Sequence, residues 1–112
     1  MNVIKTFEDL KIWQKGRELS ILIFRLSEKG SFAKDFPLKN QIRGSSGSVM
    51  DNIAEGFERN SKLEFIQFLS VAKGSCGETR SQIIRAADFG YISAEEQNER
   101  NKQNNGTWKN DR

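Results

Sequence analysis

The stretch QIRGSSGSVMDNIAEGFER, residues 41–59, decides the fold of this chain. Its run from Gly44 to Ser48 has the composition of a flexible linker between domains. Apolar or small residues nevertheless recur through the region three or four positions apart, which is the spacing of one helix face. These residues are Leu38, Ile42, Ser45, Val49, Ile53 and Phe57. We call such a face an apolar seam and interpret the stretch as part of a packed helix. If residues 44–48 were a linker, the apolar residues after them would be cut off from the rest of this seam.

A second apolar seam supports this interpretation. It consists of Phe65, Leu69, Ala72, Cys76, Thr79, Ile83 and Ala86. If the chain folds back around Asn60, antiparallel pairing places the two runs of small residues against each other and puts Val49 opposite Val71. Small side chains let two helix axes approach closer than usual, which would compensate for glycines in helix interiors. The predicted close crossing comprises Gly44, Ser45, Gly47, Ser48, Ala72, Gly74, Ser75 and Cys76.

Capping signals divide the chain into helices. A hydroxyl residue is followed three positions later by an acid, as in a capping box, at Thr6, Ser61 and Ser93. Gly30 stands where a helix is expected to end, and Pro37 where the next one can begin. No run alternates with the period of a strand, so the predicted fold is all-α. The predicted helices span about 7–29, 37–59, 62–90 and 94–104.

The predicted architecture is an antiparallel up-down four-helix bundle with a weak or truncated fourth helix. Residues 1–92 form its helical core, and residues 93–112 form a polar fourth helix or tail. Only Ala94 and Trp108 are apolar in this last segment, so it cannot contribute a full core face.

The composition limits the kinds of function. A chain of 112 residues with 36% hydrophobic content and no long apolar run is expected to be a single cytoplasmic domain without a membrane partner. It contains no His and one Cys, Cys76, so a zinc site or a nucleophile paired with His cannot be assembled within it. We predict neither enzymatic activity nor a cofactor, metal or catalytic residue.

The first helix is apolar on two sides. One side can line the core, whereas the other gathers Leu10, Trp13, Ile21 and Phe24. A contiguous apolar patch left in water usually marks an interface, so these four residues are the candidate subunit interface. The alternative interpretation is a broad core-facing surface on this helix.

Positive charge is concentrated in the first part of the chain. Residues 1–43 carry nine basic and five acidic side chains, whereas the rest of the chain is nearly balanced. A basic surface favours a polyanion such as RNA or DNA, with Phe7 and Trp13 available for base stacking. The candidate nucleic-acid contacts are Lys5, Lys11, Lys15, Arg17, Arg25 and Arg43. Ordinary solvation of charged residues is the alternative.

A group of polar residues follows the glycine-rich run. Asn52, Glu55 and Arg59 lie on neighbouring turns of the predicted second helix, with Glu55 and Arg59 at ion-pair spacing. They are predicted to form either a ligand or subunit contact at one end of the bundle, or a network with Glu78 or Arg80 of the next helix that fixes the register of the two helices.

Three segments carry a family resemblance: FEDLKIWQKGREL (7–19), residues 36–75 with NIAEGF (52–57), and FGYI (89–92). They resemble a bacterial four-helix-bundle family whose founding members are encoded by intervening sequences in large-subunit ribosomal RNA genes. The resemblance implies an antiparallel four-helix bundle that assembles into a homo-pentamer. The family is also similar to the accessory protein of diversity-generating retroelements, which binds nucleic acid and a reverse transcriptase.

The chain departs from this family at two places. Gly44 stands where many members have a second arginine, which reduces the expected basic surface. The segment 93–112 is polar, whereas the family's fourth helix is usually amphipathic.

We therefore expect a non-enzymatic, homo-oligomeric bundle that acts as a nucleic-acid-binding accessory protein. The alternative is a protein-interaction adaptor that recognises a partner through the side containing Trp13 and Phe24.

Overall fold

The computed structural model describes residues 3–99, and this part of the chain is built from helices without a strand. The predicted all-α fold is confirmed. Its elements are a 3-10 turn (Phe7–Asp9), α1 (Lys11–Ser27), α2 (Gly30–Lys34), α3 (Phe36–Glu58) and α4 (Lys62–Asp88). Residues 94–99 are also helical. No helix within 3–99 has the length and apolarity that a membrane span requires.

The first predicted helix is divided at Leu10. The carboxylate of Asp9 accepts the backbone N–H groups of Lys5 at 2.9 Å and Thr6 at 3.1 Å, and the turn Phe7–Asp9 closes beneath it. These bonds, that of Lys5 first, hold the pKa of Asp9 below its usual value because they favour the charged carboxylate. Leu10 is extended, with φ −77° and ψ 126°, so α1 begins one residue later.

The connection after α1 contains a short helix that the sequence interpretation omitted. Gly30 stands after the end of α1 and has a left-handed conformation, φ +54°, but it is also the first residue of α2, which buries Phe32. Asp35 then caps α3 by accepting the N–H of Leu38 at 3.1 Å, and Pro37 lies in the first turn as predicted. The turn therefore covers one end of the core rather than merely linking two helices.

The long helices pack in an antiparallel order with α3 in the middle. α3 contacts both α1 and α4 along its length. The predicted seam positions of α3 and α4 are buried or half-buried. The same holds for the apolar side of α1 that was expected to line the core, which consists of Ile12, Leu19, Leu22, Ile23 and Leu26. The core consists of Leu19, Ile23, Leu26, Phe32, Leu38, Ile42, Val49, Ile53, Ala72, Cys76, Ile83, Ala86 and Ile92.

The two runs of small residues meet, but their register differs from the prediction. Ser48 contacts Ser75 at 3.0 Å, three residues beyond its predicted partner Ala72. Side chains on a helix lean toward its N-terminus. The side chains of α3 therefore lean away from the α3–α4 connection, whereas those of α4 lean toward it. Contacting pairs are therefore offset along α4. The predicted pairing of Val49 with Val71 is wrong, since Val49 is buried and Val71 is 53% exposed.

The glycines of the predicted crossing are not the residues that allow the helices to approach. A Cβ built on Gly44, Gly47 or Gly74 would meet no atom within 4 Å, so their predicted place in the close crossing is wrong within the single chain. The close approaches lie instead at Gly16, where a Cβ would stand 3.3 Å from Met50, and at Gly56. The buried faces at the predicted crossing are provided by Ser45, Ala72, Ser75 and Cys76.

The last helical residues begin with a complete capping box. Ser93 Oγ accepts the N–H of Glu96 at 3.1 Å, and the Glu96 carboxylate accepts the N–H of Ser93 at 2.9 Å. Residues 94–99 thus form the start of the predicted short final helix. The remainder of the predicted span 94–104, and the tail to residue 112, lie outside the described residues.

Candidate nucleic-acid interface

The six candidate nucleic-acid contacts do not lie together. Lys5, Lys11, Lys15 and Arg17 lie in or before the first two turns of α1, whereas Arg25 and Arg43 lie near its other end. A helix of 17 residues is about 25 Å long. The predicted basic surface is therefore divided between the two ends of α1.

Arg43 is held in place by α1. Its Nε donates to Ser27 Oγ at 2.8 Å and its Nη2 to the Phe24 carbonyl oxygen at 3.5 Å. Ser27 is buried and also donates to the carbonyl of Ile23. The guanidinium carbon lies 4.3 Å from the centroid of the Phe24 ring, within cation–π range. The charge of Arg43 is thus fixed against an aromatic ring that is itself 49% exposed.

A second pair of this kind lies at the start of α3. The ammonium of Lys39 lies 4.9 Å from the centroid of the Phe36 ring, and Phe36 is 62% exposed. Neither Lys39 nor Arg43 has a carboxylate partner within the described part of the chain. Within residues 3–99 this end of the bundle therefore carries two positive charges that are not paired with a carboxylate.

The opposite end of the bundle shows the same geometry with a different charge balance. Arg59 lies 5.0 Å from the centroid of the Phe68 ring. Its guanidinium pairs with Glu55 at 2.9 Å and approaches Glu64 at 3.7 Å. Two carboxylates compensate one cation here, so this end offers no uncompensated charge at Arg59.

At the N-terminal end of α1, Trp13 belongs partly to the core. It packs with the core cluster and against Phe7, with ring centroids 5.1 Å apart. The guanidinium of Arg17 lies 5.9 Å from the Trp13 ring, at the limit of cation–π range. Phe7 and Trp13 are half-buried, so they offer less stacking surface than the sequence suggested.

The candidate subunit interface is not one exposed patch. Leu10 and Trp13 are half-buried and pack against the core, whereas Ile21 and Phe24 are exposed. Phe24 also contacts Arg43. Leu10 and Trp13 therefore fit the alternative interpretation, in which the first helix has a broad core-facing surface.

The outer face of α4 carries exposed apolar side chains that the sequence interpretation did not select. Leu63 is 66% exposed, Ile66 53% and Ile84 44%. At about 100° per residue these three side chains lie on the side of α4 opposite its core seam, with Gly74 and Gly77 between them. We call these five residues the outer α4 stripe.

The predicted polar network is not formed as one cluster. Arg59 pairs with Glu55, but Asn52 donates its amide to the backbone oxygen and hydroxyl of Ser48, each at 2.8 Å. Glu78 accepts from Gln82 at 3.3 Å within its own helix. The four residues occupy three separate local contacts because the register places Glu78 far from the α3–α4 connection.

A buried polar network does join α3 to α4, and of its residues Ser45, Ser75 and Thr79 had been placed on the predicted seams or crossing, whereas Gln82 had not. Ser45 Oγ lies 2.8 Å from Thr79 Oγ1 and donates to Gln82 Oε1 at 2.6 Å. Thr79 also donates to the carbonyl oxygen of Ser75 at 2.9 Å. Gln82 is 3% exposed. Its place in the sequence between the seam residues Thr79 and Ile83 could have indicated that Gln82 is buried. A polar residue at such a position is, however, usually assigned to the solvent-exposed face of the helix.

The end of the bundle near Arg43 is closed by the segment after α4. Tyr91 donates its hydroxyl to Asp35 at 2.9 Å and stacks on Phe32, with ring centroids 5.3 Å apart. The hydrogen bond to Asp35 raises the pKa of the Tyr91 phenol above its usual value of 10.0, because it favours the protonated form. Asp35 is thus engaged both by Tyr91 and by the N–H of Leu38.

The described residues contain no cluster suited to a metal ion, and their one cysteine, Cys76, is buried and has a partner.

The chain is similar to known proteins both in sequence and in fold. The family model of the 23S rRNA-intervening sequence protein matches residues 8–109. The fold is similar to the crystal structure of a protein of unknown function from the S23 ribosomal protein family of Bacteroides thetaiotaomicron. That similarity has a TM-score of 0.77 and 23% sequence identity, and it covers 86% of this chain and 90% of that one. No curated protein matches the chain.

Proposed function

Because the chain belongs to the family of 23S rRNA-intervening sequence proteins, we propose that it is a non-enzymatic, homo-oligomeric bundle that binds nucleic acid through a basic surface. The observation that carries the proposal is a pair of cations, Lys39 and Arg43, which lie beside exposed rings at one end of the bundle and have no carboxylate partner among residues 3–99. RNA or DNA is the proposed partner because its negative charge is complementary to these cations.

The charge distribution supports this end as the binding surface. Residues 24–43 contain five basic and two acidic side chains, a net charge of +3 that equals the formal net charge of the whole chain. One of the two acids, Asp35, is already engaged by Tyr91 and Leu38. Binding through such a surface is mainly electrostatic and independent of sequence.

Self-association would multiply this charge by the number of subunits. The outer α4 stripe is the surface that we assign to contact with a second copy, because three large apolar side chains are exposed there. The proposed assembly is the pentamer that the family resemblance implies, and the proposed protein partner is a reverse transcriptase.

The test is a fluorescence-anisotropy titration of labelled structured RNA and labelled duplex DNA over a series of salt concentrations. We expect binding at low salt that weakens steeply as salt rises, since phosphate contacts release counterions. Absence of binding at micromolar protein and low salt would contradict the proposal.

The adaptor function is favoured by one observation, the exposure of Ile21 and Phe24 on α1. It requires a protein partner whose binding tolerates salt and is lost on Trp13→Ala or Phe24→Ala. Binding that instead depends on Lys39 and Arg43 and weakens with salt distinguishes the nucleic-acid function from it.

A further inference from the structure

The two cation–ring pairs near the N-terminus of α3 share one side of the molecule. Phe36, Lys39 and Arg43 follow one another at spacings of three and four residues, which places them on the same face of α3. Arg43 extends this face across to Phe24 of α1. We call Phe24, Phe36, Lys39 and Arg43 the aromatic–cation face.

The rings on this face are not needed to fill the core. Phe36 is 62% exposed and Phe24 49%, whereas the core of the same region is filled by Phe32 and Leu38. Burying a phenylalanine normally stabilises a fold by removing apolar surface from water, and neither ring obtains that benefit fully in the single chain. Their exposed surface is therefore available for contact with a partner.

The spacing of the two cation–ring pairs also suits a linear polymer with regularly repeating units. Phe36 and Arg43 are seven residues apart, or about 10 Å along α3. A strand of nucleic acid offers planar bases and phosphate charges in regular succession, which matches alternating rings and cations along a helix. A partner with a single apolar side chain would use only one of the two pairs.

We propose that the aromatic–cation face binds an unpaired strand of nucleic acid, with bases against Phe24 and Phe36 and phosphates near Lys39 and Arg43. The inference rests on the proposed function. Bases in a duplex are stacked on one another and have no free faces, whereas those of an unpaired strand can stack on protein rings. Stacking of this kind tolerates any sequence because every base has a flat face.

The test compares an unpaired oligonucleotide of about 12 nucleotides, within the range of known site sizes, with a duplex of the same length at the same low salt. The variants are Phe36→Leu, which keeps an apolar side chain but removes the ring, and Lys39→Gln. Neither position is buried, so both variants are expected to fold. Phe89→Leu is the matched control, since Phe89 is similarly exposed at 54% and no cation of residues 3–99 lies over its ring.

The unpaired strand is expected to bind more tightly than the duplex. Phe36→Leu should weaken binding of the strand about tenfold, in line with the loss of one stacked base, and should leave duplex binding unchanged. Lys39→Gln should reduce the slope of log affinity against log salt by about 1. Phe89→Leu, and Arg59→Gln at the charge-compensated end, should behave as the unmodified protein does.

Equal affinity for strand and duplex, or no effect of Phe36→Leu on strand binding, would overturn this inference while the proposed nucleic-acid function stands. A similar loss with Phe89→Leu would also overturn it, because the effect would then not depend on the cation–ring pairs. Failure to bind either nucleic acid at low salt would remove both the inference and the proposed function.

Discussion

The hydroxyl oxygens of Ser45 and Thr79 lie 2.8 Å apart inside the contact between α3 and α4. Both side chains are buried, and Gln82 completes the group by accepting from Ser45. Polar groups in an apolar interface are stable only where they find partners. This pairing therefore favours one register of the two helices over a register shifted by a turn, in which the hydroxyls would lack partners.

Replacing Ser45 tests how much this network contributes to the free energy of unfolding. We expect Ser45→Ala to lower the free energy of unfolding by about 1–3 kcal/mol, because the buried oxygen of Gln82 loses its donor. Urea denaturation measures the change. Ser46→Ala is the matched control, since Ser46 is also buried but its one side-chain bond within residues 3–99 goes to the Arg43 carbonyl of its own helix. Equal losses in the two variants would contradict a role for the interhelical bonds.

Adding one methyl group at Gly56 tests the close approach of the helices. A Cβ there would lie 2.6 Å from Phe68 Cβ and 3.1 Å from Phe65 Cδ1. We expect Gly56→Ala to destabilise the fold by about 1–3 kcal/mol through overpacking. Gly44→Ala should instead be neutral or stabilise by up to about 1 kcal/mol, because that position is open and alanine favours helix. Thermal and urea unfolding of both variants would show whether they differ in sign.

The bond between Tyr91 and Asp35 predicts a dependence of stability on alkaline pH. Because the folded pKa of Tyr91 is raised above 10.0, the stabilisation is fully present below the unfolded pKa and is lost as pH rises through the folded pKa. We expect the difference in melting temperature between the unmodified protein and Tyr91→Phe to be largest near neutral pH and to shrink above about pH 10. A difference that stays constant over this range would contradict the assignment.

A charge on the outer α4 stripe tests self-association. We expect Ile66→Glu to reduce the mass of the assembled protein, because a carboxylate cannot be buried against a second copy without a partner. Val71→Glu is the matched control, since Val71 is equally exposed at 53% but lies on a different face of α4. Sedimentation velocity at several concentrations would compare them. An unchanged assembly in Ile66→Glu would place the contact elsewhere.

The fold was largely predictable because its seams depend on periodicity. The positions of Val49, Ile53 and Ile83 follow from spacing alone, and Ser61 marks the start of α4, where its hydroxyl accepts the N–H of Glu64 at 3.1 Å. The break at Leu10 could not be predicted in this way, because it depends on the Asp9 carboxylate satisfying backbone groups that an unbroken helix would use differently.

The candidate site was less predictable, since it depends on how neighbouring helices are placed. Gly44 and Gly47 were assigned to the crossing by composition, but composition does not say which face of a helix they occupy. Arg43 was selected for its charge, whereas its ring partner Phe24 lies 19 residues away and becomes a neighbour only when α1 packs on α3. Lys39 and Phe36 lie three residues apart, but the sequence analysis did not pair them because the predicted helix began at residue 37, one residue after Phe36.

The most direct test of the central claim is the mass of the full chain measured by multi-angle light scattering, alone and mixed with RNA at low salt. The account predicts a multiple of the 12.8 kDa chain mass for the protein alone and a larger species that contains both components in the mixture. A mass of one chain in both samples would contradict it.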